Sequence, residues 1–271
     1  MLTLYFSGTG NTEYIANEFS KLMDAKCLSI EAEADFTHEI KSHETIAFCY
    51  PIYGSRAPRN LREFTARHMS DLTDKKIIIL VTQAVFSGDG ARVFTDMFWE
   101  DTIEVIYAEH IKMPVNVNNM LIFRKPSEKA IEKCLRKAKE KLQKISRDID
   151  MGIVKKRGFS RFSQFLGNVQ GVFWQGNSKE IDLSTSSLEF KAKTGVKIHK
   201  ECTLCNLCVG ICPVKNLVNA QGSIVPQGNC VVCYRCINNC PEKAITVFFN
   251  KRPKWQYKGV EKSIDNSTNK Q

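Results

Sequence analysis

Eight of the 11 cysteines lie between Cys202 and Cys240, in two copies of one pattern. "CTLCNLCVGICPVKNLV" begins at Cys202 and "CVVCYRCINNCPEKAIT" at Cys230, so C-x2-C-x2-C-x3-C-P occurs twice with an offset of 28 residues. Three thiolates at this spacing can curl a short loop around one face of an iron–sulfur cube, with backbone amides turned toward its sulfides. The fourth opens a helical turn and points elsewhere, and the Pro behind it fixes the backbone as the chain leaves. Zinc is the competing metal, but it takes four ligands, often as two separated C-x2-C pairs, and a triple run closed by x3-C-P suits that poorly. Such a module contains no acid or base; its chemistry is the passage of single electrons.

A second stretch, "LTLYFSGTGNTEY" (2–14), ends an apolar run in Ser, Gly, Thr and Gly and then turns helical. A loop of that kind presents amides and hydroxyls to a phosphate at a helix N-terminus. A Walker loop would need Lys followed by Ser or Thr after its last Gly, and neither is present. A dinucleotide fingerprint would need Gly or Ala where Glu13 stands. Ser7, Thr9, Asn11 and Thr12 remain, a set without a cation that can wrap a monoester phosphate.

The elements that must position these groups follow from periodicity. Strand-like runs at 2–6, 25–30, 45–50, 76–82 and 103–111 alternate with helical stretches at 12–23, 58–69 and 90–100, and a long charged helix covers about 126–149. Buried β-branched strands alternating with amphipathic helices make a doubly wound parallel sheet. Its ligands bind at the carboxyl ends of the strands. Two more glycine-bearing loops fall there, "YPIYGSRAP" (50–58) after the third strand and "QAVFSGDGAR" (83–92) after the fourth.

Residues 195–250 resemble the bacterial two-cluster ferredoxins, a small α+β fold with "VKIH" and "AITVF" as outer strands. The resemblance implies two [4Fe–4S] clusters, one on Cys202, Cys205, Cys208 and Cys240, the other on Cys230, Cys233, Cys236 and Cys212. "SGTGNTE" resembles the phosphate loop of short-chain flavodoxins over residues 1–125. This implies strand order 2-1-3-4-5 and bound FMN. Ser7, Thr9, Gly10, Asn11 and Thr12 match the phosphate positions. Pro51, Tyr53 and Gly54 match the loop over one flavin face, with Tyr53 as the stacking ring. Phe86, Ser87, Gly88 and Gly90 match the loop on the other side, although flavodoxins often carry Trp or Tyr there. As a whole the chain resembles the flavodoxin–ferredoxin fusions, the EFR1-type ferredoxins, and "KMPVN" (112–116) also matches that family.

The expected organisation is a flavodoxin-like domain at 1–150, a connecting segment at 151–194, a ferredoxin domain at 195–250, and a basic, frayed tail at 251–271. The net charge of +10 is uneven, since residues 1–125 hold 13 Lys/Arg against 17 Asp/Glu and the rest is basic. A basic back half suits an acidic redox protein, such as a ferredoxin, as partner. No nucleic-acid motif accompanies the charge. No run approaches the length of a membrane span, and Met1 leads straight into a strand, so a cytoplasmic location is expected. The phenylalanines of 159–174 recur at helical spacing beside basic residues. They suit an interdomain or oligomer helix better than membrane contact. The expected function is electron transfer between two clusters and FMN. The alternative is an FMN-dependent reductase of a quinone or small organic molecule, fed through its own clusters. The absence of a second nucleotide fingerprint counts against direct oxidation of NAD(P)H.

Overall fold

The computed structural model describes residues 1–54, 56–84, 88–98, 102–120, 123–165, 167 and 187–260. A six-stranded parallel sheet forms its front half: β1 (Leu2–Tyr5), β2 (Lys26–Ser29), β3 (Thr45–Pro51), β4 (Lys75–Gln83), β5 (Ile103–Lys112) and β6 (Lys155–Lys156). The order is β2-β1-β3-β4-β5-β6. The first five strands and their order match the expectation from sequence.

Alternation along β3 shows how the sheet sorts its side chains. Ile46, Phe48 and Tyr50 enter one core layer, Ala47 and Cys49 the other. Helices α2 (Phe36–Lys41), α3 (Arg59–Arg67) and α4 (Gly90–Thr95) cover the first layer through Ile40, Phe64 and Phe94. Helices α1 (Asn11–Leu22) and α5 (Glu128–Asp150) cover the second through Ile15, Phe19, Leu135, Leu142 and Ile145. Ser127 caps α5 by accepting from the Ala130 amide at 3.2 Å, which satisfies a donor the helix leaves open.

Strand β6 lies in the stretch read as a connection. Two lysines carry no alternation; Lys155 and the Arg157 that follows β6 are held by charge instead. Glu109 on β5 is 1% exposed and meets Lys155 at 2.6 Å, Lys141 at 3.1 Å and Arg157 at 3.1 Å. Burial alone would raise this carboxyl; Lys155, the His110 amide and Lys141 outweigh it and hold it at about 2.

The back half is smaller. β7 (Val196–Ile198) pairs antiparallel with β10 (Ile245–Val247), as expected for the outer strands, and β8 (Leu217–Ala220) forms a hairpin with β9 (Ser223–Pro226). Short helices at Leu207–Gly210 and Arg235–Asn239 complete it. Residues 251–260 differ from the frayed tail expected there: Tyr257 and Val260 are buried in the layer beneath α1 and α5. In the 159–174 stretch, Phe159 packs on the sheet core while Phe162 and Phe165 are exposed. Leu166, Val169 and Phe173 lie outside the described residues. Among the described residues, no helix is long and apolar enough to cross a membrane.

Candidate functional site

The loop between β1 and α1 turns at Gly10, whose φ of 90° belongs to the left-handed region that glycine adopts without steric cost. Its hydroxyls are already oriented. Ser7 Oγ accepts from the Gly10 amide at 3.1 Å, and Thr9 Oγ1 accepts from Asn116 Nδ2 at 2.9 Å. Thr12 and Thr82 share one hydrogen bond at 2.7 Å. A hydroxyl that accepts keeps its own proton for donation, so the loop offers O–H donors suited to an anion without any cationic side chain. Asn11 is spent elsewhere: its amide donates to the Pro114 carbonyl at 2.8 Å and accepts from the Tyr257 hydroxyl at 2.6 Å. Only its backbone amide, at the start of α1, is left for an anion.

A cavity of about 540 Å³ opens beside this loop. Ser7, Thr9, Asn11, Thr12, Pro51, Tyr53 and Gly54, all singled out in the sequence, line it together. Gly10 faces a separate cleft, and Gly88 and Gly90 are not among the cavity walls. Phe86 and Ser87 lie outside the described residues. The opposite wall was not foreseen: Val232, Tyr234, Phe248 and Phe249 come from the back half, and Met120 and Phe123 from the loop after β5. Phe248 has a φ of 66°, a strained value for a bulky residue. Tyr53 turns its hydroxyl away into the joint between the halves, where it is buried without a hydrogen-bond partner among the described residues. Burial and the neighbouring Cys233 push its phenol well above the ordinary value.

The eight repeat cysteines ring two hollows. Cys202, Cys205, Cys208 and Cys240 line one; Cys212, Cys230, Cys233 and Cys236 line the other. These are the two sets that the ferredoxin resemblance implies. The backbone repeats as faithfully as the cysteines do. Leu204 and Val232, Asn206 and Tyr234, and Lys215 and Lys243 all have positive φ, each pair 28 residues apart. Left-handed residues set between right-handed ones turn successive amides toward one point, a concavity that binds anions and iron–sulfur groups. Non-glycine residues hold such angles at a cost of about 1 kcal/mol or more each. Sulfur contacts repeat too: the Asn216 amide donates to Cys212 Sγ at 3.1 Å and the Ala244 amide to Cys240 Sγ at 3.2 Å. Burial pushes Cys230 up to about 12 and Cys208 up to about 11, with neighbouring thiols adding to both. Thiols so crowded are proton-bound unless a cationic group relieves them. Among the described residues no three His, Cys, Asp or Glu side chains close on a point that would hold one metal ion.

The second cysteine motif is pressed onto the phosphate loop. A Cβ on Gly8 would sit 2.3 Å from the Cys233 carbonyl oxygen and 2.8 Å from the Tyr53 hydroxyl, so glycine is required there by close approach. Arg235, between two of the cysteines, donates to the Ser7 carbonyl at 2.7 Å and the Gly8 carbonyl at 3.2 Å, and pairs with Glu31 at 2.6 Å. Asn238 is fully buried. It donates to the Asn116 carbonyl at 3.0 Å and accepts from Asn118 at 3.0 Å and the Tyr257 amide at 2.7 Å. Asn119 accepts from the Tyr234 hydroxyl at 2.9 Å. The loop 114–119 and Tyr257 thus bind the halves together. Sequence reasoning missed these residues. The one available signal was a charged Arg and a polar Asn, Arg235 and Asn238, within a motif that otherwise needs only cysteines.

Residues 2–112 match the family model described as the flavodoxin domain. Among solved structures, the chain is similar to a two-electron reduced flavodoxin of Megasphaera elsdenii, at 20% identity and a TM-score of 0.38, over 52% of this chain and 99% of that one. It is similar to an FMN-bound flavodoxin of Fusobacterium nucleatum, at 13% identity and 0.39, over 57% and 98%. It is also similar to the Trp repressor binding protein of Bacillus subtilis, at 13% and 0.40, over 53% and 96%. No curated protein matches the sequence. The front half is flavodoxin-like.

Proposed function

We propose that this chain is an iron–sulfur flavoprotein that transfers electrons, with FMN in the front half, two [4Fe–4S] clusters in residues 195–250, and an acidic redox protein as its partner. One observation carries the reading: the loop that fits a flavin phosphate and the second cysteine motif share a surface, with the Cys233 carbonyl against Gly8 and Arg235 bonded to the Ser7 and Gly8 carbonyls. A flavodoxin family match over residues 2–112 supports the flavin.

The residues present fit each group. Ser7 and Thr9 supply hydroxyl donors for the phosphate, the Thr12–Thr82 pair keeps one hydroxyl proton more, and the backbone amide of Asn11 adds the pull of a helix N-terminus. Pro51, Tyr53 and Gly54 would border the ring on one side, with the apolar wall of Val232, Phe248 and Phe249 excluding water on the other. Two hollows of four thiols each, with repeated backbone turns, suit clusters in which every thiolate binds its own iron. Clusters carry single electrons and FMN carries one or two, which lets such a protein join one-electron and two-electron chemistry. What the chain's residues contribute is distance: the second hollow and the flavin cavity share Val232 and Tyr234 in their walls.

Anaerobic reconstitution tests the assignment. About eight irons and one FMN per chain are expected. Stoichiometric zinc in place of iron, or no FMN, would overturn it. Rapid consumption of a quinone by the reduced holoprotein without a protein partner would favour the reductase reading instead.

A further inference from the structure

We infer that a basic cleft beside the flavin cavity is where an acidic carrier protein docks. This rests on the electron-transfer reading and gives the partner a place. The cleft, of about 280 Å³, lies between the loop after β5 and residues 251–255. Arg124, Lys125, Lys251, Arg252 and Lys254 line it around Phe123 and Trp255, and no acidic residue joins them. Arg252 is engaged with Glu201 at 2.8 Å. The other four side chains have no partner among the described residues. Arg124, Lys125, Lys251 and Lys254 are exposed, so they are solvated charges held in one place by a packed floor.

Three features together favour a protein over a small anion. Four free cations around an aromatic floor make the composition of a docking patch, with charge for encounter and a ring for the dry centre. Met120 and Phe123 belong to both this cleft and the flavin cavity, so a partner seated here stands next to the site where electrons would be exchanged. The cleft has no hydroxyl among its lining residues, and the buried amides of Asn118 and Asn119 already donate to Asn238, Trp255 and Val247, so a small phosphate would find charge without a cradle. Nucleic acid would be held by the same charge, and it enters the test as a competing outcome.

The experiment measures binding of a gallium-substituted acidic [2Fe–2S] ferredoxin to the full-length holoprotein by calorimetry at low and moderate salt. The gallium form transfers no electrons, so docking is scored apart from redox competence. Loss of FMN or iron from the wild type would indict the electron-transfer reading and leave the docking result standing. The pairs K251E/K254E and R124E/K125E are each expected to weaken binding about tenfold or more and to flatten its salt dependence. The pair K133E/K137E, on the exposed face of α5, removes equal charge elsewhere and should leave binding within about twofold. Equal losses from the α5 pair would overturn the proposal, since total charge would then explain binding. Unchanged affinity in both cleft pairs would overturn it too, as would tighter retention of a single-stranded oligonucleotide than of the ferredoxin. A cleft variant that misfolds is recognised by loss of bound FMN, and single substitutions K251Q and K254Q then carry the test with smaller expected losses.

Discussion

The two cysteine motifs share a backbone and differ in company. At positions 28 apart they repeat the same left-handed residues and the same amide-to-sulfur bonds. All seven positions between the cysteines differ, and three of them set the contacts with the front half. Asn206, Leu207 and Gly210 in the first motif become Tyr234, Arg235 and Asn238 in the second. The Asn206 side chain accepts from Asn219 of its own half, Leu207 is exposed, and a Cβ on Gly210 would meet nothing within 4 Å. Each of the three replacements reaches the front half: Tyr234 to Asn119, Arg235 to Ser7, Gly8 and Glu31, Asn238 to Asn116 and Asn118. Cysteines and backbone define what each loop can hold. The residues between them decide which loop is buried against a neighbour and which is left at the surface, where Cys205 is exposed.

Gly8→Ala against Gly210→Ala should separate the motifs most. The first places a methyl group against the Cys233 backbone, which has no flexible end to move. It is expected to cost about 3 kcal/mol and to abolish measurable FMN retention. The second meets open space within a helix, and is expected to be neutral or to stabilise by up to about 1 kcal/mol. Equal effects in denaturant titrations would mean that the motifs are not differently engaged.

Acid should strain the front half more than either motif. His110 on β5 is buried; burial and the nearby Arg157 lower it from 6.5 to about 4. The unfolded chain therefore takes up a proton that the folded chain refuses. Stability from this source is complete above pH 6.5, falls as pH drops, and is fully lost below about 4, up to about 3 kcal/mol in total. Unfolding of His110→Gln should show a flatter profile through that window than the wild type. An identical profile would place the acid sensitivity elsewhere.

Next in size is Arg235→Leu, which gives the second motif the residue that its counterpart has. It removes charge-assisted bonds to two loop carbonyls and to Glu31 from a side chain that is 22% exposed. About 2 kcal/mol of stability and about tenfold in FMN affinity should go, with iron content unchanged. Arg235→Lys keeps the charge but not the fork, and should fall between. The reciprocal Leu207→Ala should leave FMN affinity unaltered.

Why the second motif docks could not be read from the chain, although most of the fold could. The five long strands carry alternation or continuous apolar runs, and their helices carry stripes, so hydrophobic period located them. β6 is two lysines, and Glu109 holds the stretch through Lys155 and the following Arg157; charge pairing has no period. Ser7, Thr9 and Thr12 were legible because a phosphate loop is local in sequence. Asn116, Asn118, Asn238 and Tyr257 were not, because each amide or hydroxyl is informative only through a partner more than 100 residues away or across a fold boundary. Gly8 was visible as a glycine, but its cause, the Cys233 carbonyl, lies 225 positions further on.

The smallest effects test the shared backbone itself. Leu204 and Val232 hold φ of 58° in equivalent turns, so replacing either by Gly relieves a similar strain of about 1 kcal/mol. Their surroundings differ. Leu204 is 37% exposed, whereas Val232 is 5% exposed and packs in the core of the back half. Leu204→Gly should therefore leave stability unchanged or raise it by up to about 1 kcal/mol. Val232→Gly gains the same relief but gives up a buried side chain worth about 1.5 kcal/mol or more, and should come out net destabilising. Denaturant midpoints with unchanged slopes would read the difference. Opposite signs for the pair would show one strained turn used twice, once at the surface and once in a core; equal losses would show that the strain is not shared.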